Sequence, residues 1–289
     1  MNNQMAYLIG MILGNGEIQR TNTSTTITID IPYKKLTDDD GLDISIYVAA
    51  SLLDIRGVIE RLVGKELIVT QTNHSTKLSF TKDNEDYTMR ELMRFIGNGV
   101  HHKTMTMNPE LFNISTDEKK ELLRGIADVT GHIRKSNAAF GQKGHRVYIE
   151  IPGNWQMVID IANMLKELDI PVQTIDFGHP NFRDSNVEKY NEGKFNYWKK
   201  EHQIKIYANV FLPVGFNIKH KQRALEKYAK ELLQYMKPDS TYKFYWEKIV
   251  RRKQKPSHPA ENDTSLPESI RGKHYEAWQD LAKDLGYHE

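Results

Sequence analysis

The sequence predicts an α+β protein built from two pseudo-symmetric halves, each with the element order αββαββα, followed by a C-terminal helical extension. Three observations predict this fold class. A helical pattern with small residues occurs twice, at 8–18 and at 123–133. Each copy is followed by a segment that alternates apolar and polar residues, as half-buried strands do. The same order of further strands and helices then recurs, and an internal repeat constrains the architecture of the whole chain.

The repeated helix brings small residues to one face. The first copy reads LIGMILGNGEI from Leu8, and the second reads LRGIADVTGHI from Leu123. Gly10 and Gly125 occupy matching positions, so the two helices can approach each other closely there. Each copy ends in a polar residue followed by glycine. The sequence therefore predicts that two polar side chains meet beside a pseudo-twofold axis at the helix ends.

The elements after each helix also correspond. The segments ITIDIP (27–32) and VYIEIP (147–152) both place an acid, Asp30 or Glu150, before Ile-Pro, and their period-two alternation predicts strands. Four strands with helices on one face leave the other face open. The remaining predicted elements, in matching pairs, are helices at 42–63 and 155–168, strands at 68–72 and 170–174, strands at 77–81 and 203–211, and helices at 87–95 and 221–235.

These correspondences predict four segments along the chain. They are a first repeat (1–100), a linker (101–116), a second repeat (117–236) and a C-terminal extension (237–289). In the extension, an amphipathic helix at 273–285 is interpreted as packing on its own core, with docking to a partner as the alternative. The basic run at 251–255 is interpreted as a contact to the phosphate backbone of a nucleic acid, because clustered lysine and arginine attract phosphate, with a solvated segment as the alternative.

Composition limits the classes of function. The 289 residues carry a net charge of +2 with histidine neutral, so any nucleic-acid interface must come from local clustering of charge. Cysteine is absent, which excludes disulfides and thiolate metal sites. No apolar run approaches the roughly 20 residues of a membrane span. The first helix has no basic leader, so it is not expected to be a signal peptide, and a cytoplasmic protein is predicted.

The paired motifs resemble those of the LAGLIDADG family, the homing endonucleases and their relatives, over residues 4–236. The resemblance is carried by Gly10 and Gly14, by Gly125 and Gly131, and by the doubled element order. It implies that the motif helices form the central interface and that each half adds a saddle-shaped antiparallel sheet for the DNA major groove. It further implies a monomeric, site-specific double-stranded DNA endonuclease, of homing or restriction type, that uses Mg²⁺, or another divalent cation such as Mn²⁺ or Ca²⁺.

The resemblance also implies which residues would form the metal site. The acid that ends each family motif corresponds to Asn15 in the first motif and to Thr130 in the second. Neither carries the negative charge that holds Mg²⁺ against phosphate. Asp128 is acidic but lies two residues earlier, on a different helix face. The candidate metal ligands are Gly14, Asn15, Glu17, Asp128 and Val129.

A basic residue near the scissile phosphate is a further feature that the resemblance implies. The segment GFNIKHKQ from Gly215 precedes the last helix of the second half. On that match Lys219 is the candidate that offsets charge developing on the phosphate, and Lys221 is the alternative.

Three hypotheses account for the two missing acids. In the first, Asn15 stands where an active enzyme has aspartate and disables cleavage. In the second, the site has moved to the pseudo-symmetric strand acids Asp30 and Glu150, which would face phosphate through a cation; ordinary exposed strand residues, or base contacts, are the alternative interpretation. In the third, the protein is a non-catalytic, sequence-specific DNA-binding regulator. The candidate catalytic residues are therefore Asn15, Asp30, Thr130, Glu150 and Lys219.

Polar and basic residues on the strands and loops are the candidates for DNA contacts, with solvated surface positions as the alternative. A polar loop at 178–200 also has the length of a functional segment. His101 and His102 are interpreted as linker residues rather than metal ligands. The predicted DNA-binding residues are Arg20, Lys34, Gln71, Lys77, Arg134, Lys135, Asn137, Arg146, Gln173, Arg183, Lys205 and Lys221.

Overall fold

A computed structural model describes most of the two repeats and the end of the chain. The described residues are 1–33, 43, 45–72, 74–134, 145–178, 198, 201–233, 259, 261 and 263–288. Four of the predicted DNA-binding residues lie outside these ranges, namely Lys34, Lys135, Asn137 and Arg183. The predicted basic run at 251–255 and most of the predicted loop at 178–200 also lie outside them.

The first repeat follows the predicted element order. It comprises helix α1 (Asn3–Asn15), strands β1 (Gly16–Arg20) and β2 (Ser24–Pro32), helix α2 (Ser45–Val63), strands β3 (Ile68–Gln71) and β4 (Ser75–Asp83), and helix α3 (Tyr87–Ile96). A 3-10 turn at Pro109–Phe112 follows in the linker.

The second repeat has the same order with one additional short helix. It comprises helix α4 (Thr116–Thr130), strands β5 (Gly131–Arg134) and β6 (Arg146–Ile151), helix α5 (Trp155–Glu167), strands β7 (Thr174–Asp176) and β8 (His202–Tyr207), helix α6 (Ala208–Phe211) and helix α7 (Lys219–Leu233). The predicted α+β class with two αββαββα repeats is therefore confirmed.

Each repeat forms an antiparallel four-stranded sheet of the same topology. The strand orders are β1-β2-β4-β3 and β5-β6-β8-β7. The registers also match, because Gly16 pairs with Ile29 in the first sheet and Gly131 pairs with Ile149 in the second. The inner faces carry the buried isoleucine and valine side chains and join one hydrophobic core. We call the opposite side of each sheet its outer face.

The two motif helices pack directly against each other at their glycines. A Cβ atom added at Gly10 would overlap the carbonyl oxygen of Leu122, and one added at Gly125 would overlap that of Tyr7. One turn later, Gly14 lies against the Thr130 end of α4. The helices therefore run in parallel, and their C-terminal ends lie side by side as the repeat predicts.

Two predicted strands of the second half differ from the structure. The segment 170–173 is buried but is not a strand, and β7 begins only at Thr174. Pro171 has no amide hydrogen to donate to β8, and Asp169 adopts a left-handed conformation with φ 57° where the chain leaves α5. The predicted strand at 203–211 ends at Tyr207, after which the chain turns into α6.

The C-terminal extension packs onto the second repeat. Helix α8 (Trp278–Asp284) is shorter than the predicted 273–285, and Trp278 and Leu281 are buried against that repeat. The Asn163 side chain of α5 donates to the Gly286 carbonyl and accepts from the His288 amide. Packing on the chain's own core is thus the interpretation that the structure supports. Among the described residues, no helix is both long enough and apolar enough to cross a membrane.

Candidate nucleic-acid interface

The C-terminal ends of the motif helices carry an amide and a hydroxyl, and both are already bonded within the chain. The Asn15 Nδ2 atom donates to the Asp30 carbonyl at 2.7 Å. The Thr130 hydroxyl donates to the Ile126 carbonyl at 2.7 Å, one turn earlier in its own helix, and Thr130 is buried. These contacts tie α1 to β2 and close the last turn of α4. Neither end presents a carboxylate.

Asp128 is an internal structural carboxylate rather than a group at the helix end. Its Oδ2 atom accepts from the Tyr7 hydroxyl at 2.8 Å and from the Asn217 amide at 3.1 Å, and its Oδ1 atom accepts from the Ile218 amide at 3.3 Å. Burial raises the pKa of Asp128 to about 6, although the nearby Lys221 ammonium opposes the rise. The carboxylate therefore holds the chain before α7 against the motif helices.

Lys221 is buried and contacts the last turn of α4. Its Nζ atom donates to the Asp128 carbonyl at 2.7 Å. A cation at the C-terminus of a helix is favoured by the exposed carbonyls and by the helix dipole. Lys221 thus satisfies a terminal carbonyl of α4 from inside the protein, away from any phosphate outside it.

The motif ends do not provide the donor set of a divalent-cation site. Hard cations such as Mg²⁺ prefer carboxylate oxygens, and the two positions hold Asn15 and Thr130 instead. Of the other predicted ligands, Asp128 is engaged internally, and Glu17 is exposed on β1. In the described part of the chain, no group of three histidine, aspartate or glutamate side chains is arranged to hold a metal ion.

Asp30 occupies the outer face beside the first motif end. It lies in register with Lys77, but its buried Oδ1 atom has no hydrogen-bond partner among the described residues. The linker runs along β1 close by, where the His102 amide donates to the Gly16 carbonyl at 2.9 Å. Burial and the neighbouring His101 lower the pKa of His102 to about 4, whereas the Gly16 carbonyl and Asp30 oppose that change. His102 is therefore neutral at physiological pH.

Glu150 is the counterpart of Asp30 in the second sheet, but its surroundings differ. Its Oε1 atom accepts from the Gln203 side chain at 3.0 Å and lies 3.7 Å from His132 Nε2. The pseudo-symmetric position is confirmed by the strand registers, since Asp30 pairs with Lys77 and Glu150 with Gln203. The two strand acids are thus equivalent in position and unequal in bonding.

The outer face of the first sheet is polar and accessible. Hydroxyl groups pair across β2 and β4, with Thr26 and Thr81 2.8 Å apart and Thr28 and Ser79 2.9 Å apart. This face carries one lysine, Lys77, and three acids, Glu17, Asp30 and Asp83. Its other exposed side chains are Gln19, Ile68 and Thr70.

Cations stacked on tyrosine rings mark the outer face of the second sheet. The Arg134 guanidinium lies 5.5 Å from the centre of the Tyr148 ring, and Arg146 lies 5.7 Å from that of Tyr207. The His132 ring also stacks on the Tyr148 ring, with the two ring centres 5.2 Å apart. Arg134 is exposed at the end of β5. This end of the face therefore combines positive charge with aromatic surface.

The remaining predicted contact residues are distributed unevenly. Lys77 is exposed on the first outer face, and Gln71 is exposed at the edge strand. Arg20 is exposed but donates to the Gly97 carbonyl at 2.7 Å, on the side of α3. Lys219 is half exposed, and its ammonium pairs with Asp54 of α2 at 2.6 Å.

Two predicted contact residues of the second sheet are buried. Lys205 forms a close ion pair with Asp176 and is 7% exposed. Gln173 is 2% exposed and donates to the Tyr207 hydroxyl at 2.8 Å. This burial argues against direct base contacts by either side chain in the state described.

Sequence reasoning did not single out Tyr7, His132 or Tyr207. His132 and Tyr207 follow from strict alternation along β5 and β8, which places them on the outer face with Arg134 and Lys205. Tyr7 reaches Asp128 across 121 residues of sequence, and no local pattern signals that contact.

Comparisons with known proteins give distant structural likenesses only. No protein-family model matches the chain. No curated protein matches it either. Among the solved structures similar to this chain are mesophilic variants of the homing endonuclease I-DmoI, with 12% identity over 76% of this chain and 95% of that one and a TM-score of 0.40. Full-length DUF199/WhiA from Thermatoga maritima is 14% identical over 85% of this chain and 66% of that one, with a TM-score of 0.43. The homing endonuclease I-WcaI bound to its DNA recognition sequence is 14% identical over 86% of each chain, with a TM-score of 0.39.

Proposed function

We propose that this protein binds double-stranded DNA sequence-specifically through the outer faces of its two sheets and does not cleave at the motif-helix ends. The observation that carries the proposal is the pair of motif ends. The two motif helices still pack closely at their glycines. At their C-terminal ends, however, Asn15 and Thr130 stand where the family has acids, and both side chains form hydrogen bonds within the chain. The scaffold is therefore retained where the metal site of a nuclease would require carboxylates.

The outer faces support DNA binding by their chemistry. Arginine reads guanine edges in the major groove through two hydrogen bonds, and hydroxyl and amide groups accept or donate to other base edges. Arg134 and Arg146 supply such cations on the second face, and Gln19 and Lys77 supply polar contacts on the first. The proposal also rests on the resemblance of the motifs to a DNA-binding family.

Replacing an exposed arginine of the second face tests this proposal. Duplexes would first be enriched from a randomised pool by repeated binding to the protein. We expect Arg134→Ala to weaken binding to the enriched duplex by roughly 5- to 150-fold, because a well-placed arginine contributes about 1–3 kcal/mol. Fluorescence anisotropy at fixed salt measures the dissociation constant.

Arg90→Ala is the matched control for Arg134→Ala. Arg90 is exposed on α3, which packs against α1. We expect this control to change the dissociation constant less than twofold. No enrichment of any sequence, or equal effects of the two substitutions, would contradict the proposal.

A second candidate function is metal-dependent nicking of one DNA strand through Asp30. The buried Oδ1 atom of Asp30 favours it, since that atom has no partner among the described residues and lies beside the first motif end. Glu150 is bonded to Gln203, so the second half would lack an equivalent free oxygen. Asp30→Asn should abolish such nicking, whereas Glu150→Gln should preserve it.

A further inference from the structure

Helix α2 turns an apolar row of side chains outward. Its inward side buries Val48, Leu52 and Ile55 in the core. On the opposite side lie Ile46, Ala50, Leu53 and Gly57, spaced by four, three and four residues, and we call this row the α2 stripe. Ile46 is 79% exposed and Leu53 is 66% exposed. This spacing is that of the apolar positions through which two helices pack as a coiled coil.

Gly57 is an unusual residue for the middle of this helix. A glycine there costs roughly 0.5–1 kcal/mol relative to alanine. Nothing in the described part of the chain requires it, since an added Cβ atom would meet only the Arg61 guanidinium, at an ordinary 3.5 Å. By contrast, the glycines of the motif helices are required by close backbone contacts. Close approach of another helix would explain a glycine at position 57.

The α2 stripe is complementary to itself when reversed. Residues 46 and 57 are equally distant from the centre of the stripe, and so are residues 50 and 53. Each large side chain therefore faces a small residue across a twofold axis. Ile46 would lie over Gly57 of the partner subunit, and Leu53 over Ala50 of the partner subunit. Antiparallel coiled coils use this alternation of large and small residues to pack without voids.

Charge at the two ends of the helix fits the same arrangement. Asp43 is exposed just before α2, where its carboxylate accepts from the Ser45 amide. Arg61 is exposed in the last turn. Reversal of one helix brings Asp43 of each copy close to Arg61 of the partner subunit, forming two ion pairs at the rim. Opposite charges at such positions fix the orientation of paired helices.

We propose that two copies of this chain associate through antiparallel packing of their α2 helices. The association departs from the monomer that the motif resemblance implies. The buried side of α2 belongs to the same hydrophobic core as the inner face of the first sheet. The α2 stripe therefore points away from the outer faces, which stay open in both copies. One helix pair is a small interface, so we expect a weak dimer that forms at micromolar concentration.

Sedimentation equilibrium of the full chain tests the proposal. We expect the average mass of the wild-type protein to rise from monomer towards dimer with concentration. Gly57→Leu should raise the dissociation constant at least tenfold, because the side chain fills the space that Ile46 of the partner subunit would enter. The same substitution improves helix propensity, so the monomer should unfold at the same or a higher temperature.

Leu53→Gln should weaken the dimer to a similar degree, whereas Ile68→Gln should not. Ile68 is a matched control because it is 68% exposed and lies on β3 of the opposite side. A wild-type mass that stays monomeric at all concentrations would overturn the proposal. So would a Gly57→Leu protein that is folded and dimerises as well as the wild type.

A charge-reversal cycle tests the antiparallel register. Asp43→Arg and Arg61→Asp should each weaken the dimer, and the double variant should bind at least threefold more tightly than the two single effects predict together. Strictly additive effects would contradict the register, since they would mean that the two side chains do not meet.

Discussion

The second motif contains a buried carboxylate, Asp128, which acts as a hydrogen-bond acceptor between the two motif helices and the start of α7. Asp128 accepts a hydroxyl and two backbone amides, and its backbone carbonyl accepts the Lys221 ammonium. Together these contacts connect α1, α4 and the start of α7. Because all these contacts are internal, Asp128 stabilises the fold. This role explains why the second motif has an acid two residues before its end but none at the end itself.

The ionisation of Asp128 makes stability depend on pH. Its pKa in the folded protein, about 6, lies above the ordinary aspartate value of 3.8. As the pH rises from about 4 to about 6, the unfolded state loses this proton first, so this group lowers stability over that range. Above about pH 6 both states are ionised, and the cost of the buried charge stays constant.

We predict that Lys221→Met raises the pKa of Asp128 further and lowers stability at neutral pH. The ammonium is the main charge that opposes the effect of burial, so its removal extends the range over which stability falls to above pH 6. Urea unfolding between pH 4 and pH 8 measures the change. Lys219→Met is the control, because Lys219 forms a half-exposed pair with Asp54. Equal losses in both variants at pH 7 would contradict the prediction.

The sequence shows which side chains stand at the motif ends, but it does not show which hydrogen bonds they form. That Asn15 and Thr130 lack charge is visible in the residues themselves. That Thr130 donates to Ile126 and Asn15 to Asp30 depends on rotamers and on the approach of β2. Local pattern cannot supply such contacts, because they form only after the strands have paired.

At the scale of elements, the helix pair is held by backbone contact between glycines. Gly10 and Gly125 let each helix touch a carbonyl of the other. This placement was predictable, since matching glycines in repeated helices indicate close packing. The end of α5 was less predictable. The buried segment 170–173 has an apolar pattern like that of a strand. Pro171 lacks an amide hydrogen and Asp169 has a left-handed backbone, so β7 begins only at Thr174.

We predict that two mid-helix glycines respond in opposite ways to alanine. Gly125→Ala should destabilise the fold by about 3 kcal/mol or more, because the added methyl group would overlap the Tyr7 carbonyl and force the helices apart. Gly57→Ala should stabilise it by roughly 0.5–1 kcal/mol, since no comparable overlap exists there. Chemical denaturation at a low protein concentration measures both. Destabilisation of similar size at the two positions would contradict this account of the helix interface.

The whole molecule is symmetric in topology and asymmetric in surface. Both sheets share strand order and register. The first presents paired hydroxyls on its outer face, whereas the second carries cations over tyrosine rings and buries Lys205. The C-terminal extension adds to the difference, because it packs on the second repeat alone among the described contacts. Repetition in the sequence predicted the shared plan, and the divergence of individual side chains made each face distinct.

If the scaffold binds DNA without cutting at the motif ends, as proposed above, a bound duplex stays intact in the presence of divalent cations. The most direct measurement incubates the protein with an enriched, binding-competent duplex in Mg²⁺ or Mn²⁺, with EDTA as the control, and follows both strands on a denaturing gel. We predict a stable complex and intact strands under all three conditions. Metal-dependent cleavage by the wild-type protein would contradict the claim, and its loss in Asp30→Asn would assign the cutting to that carboxylate.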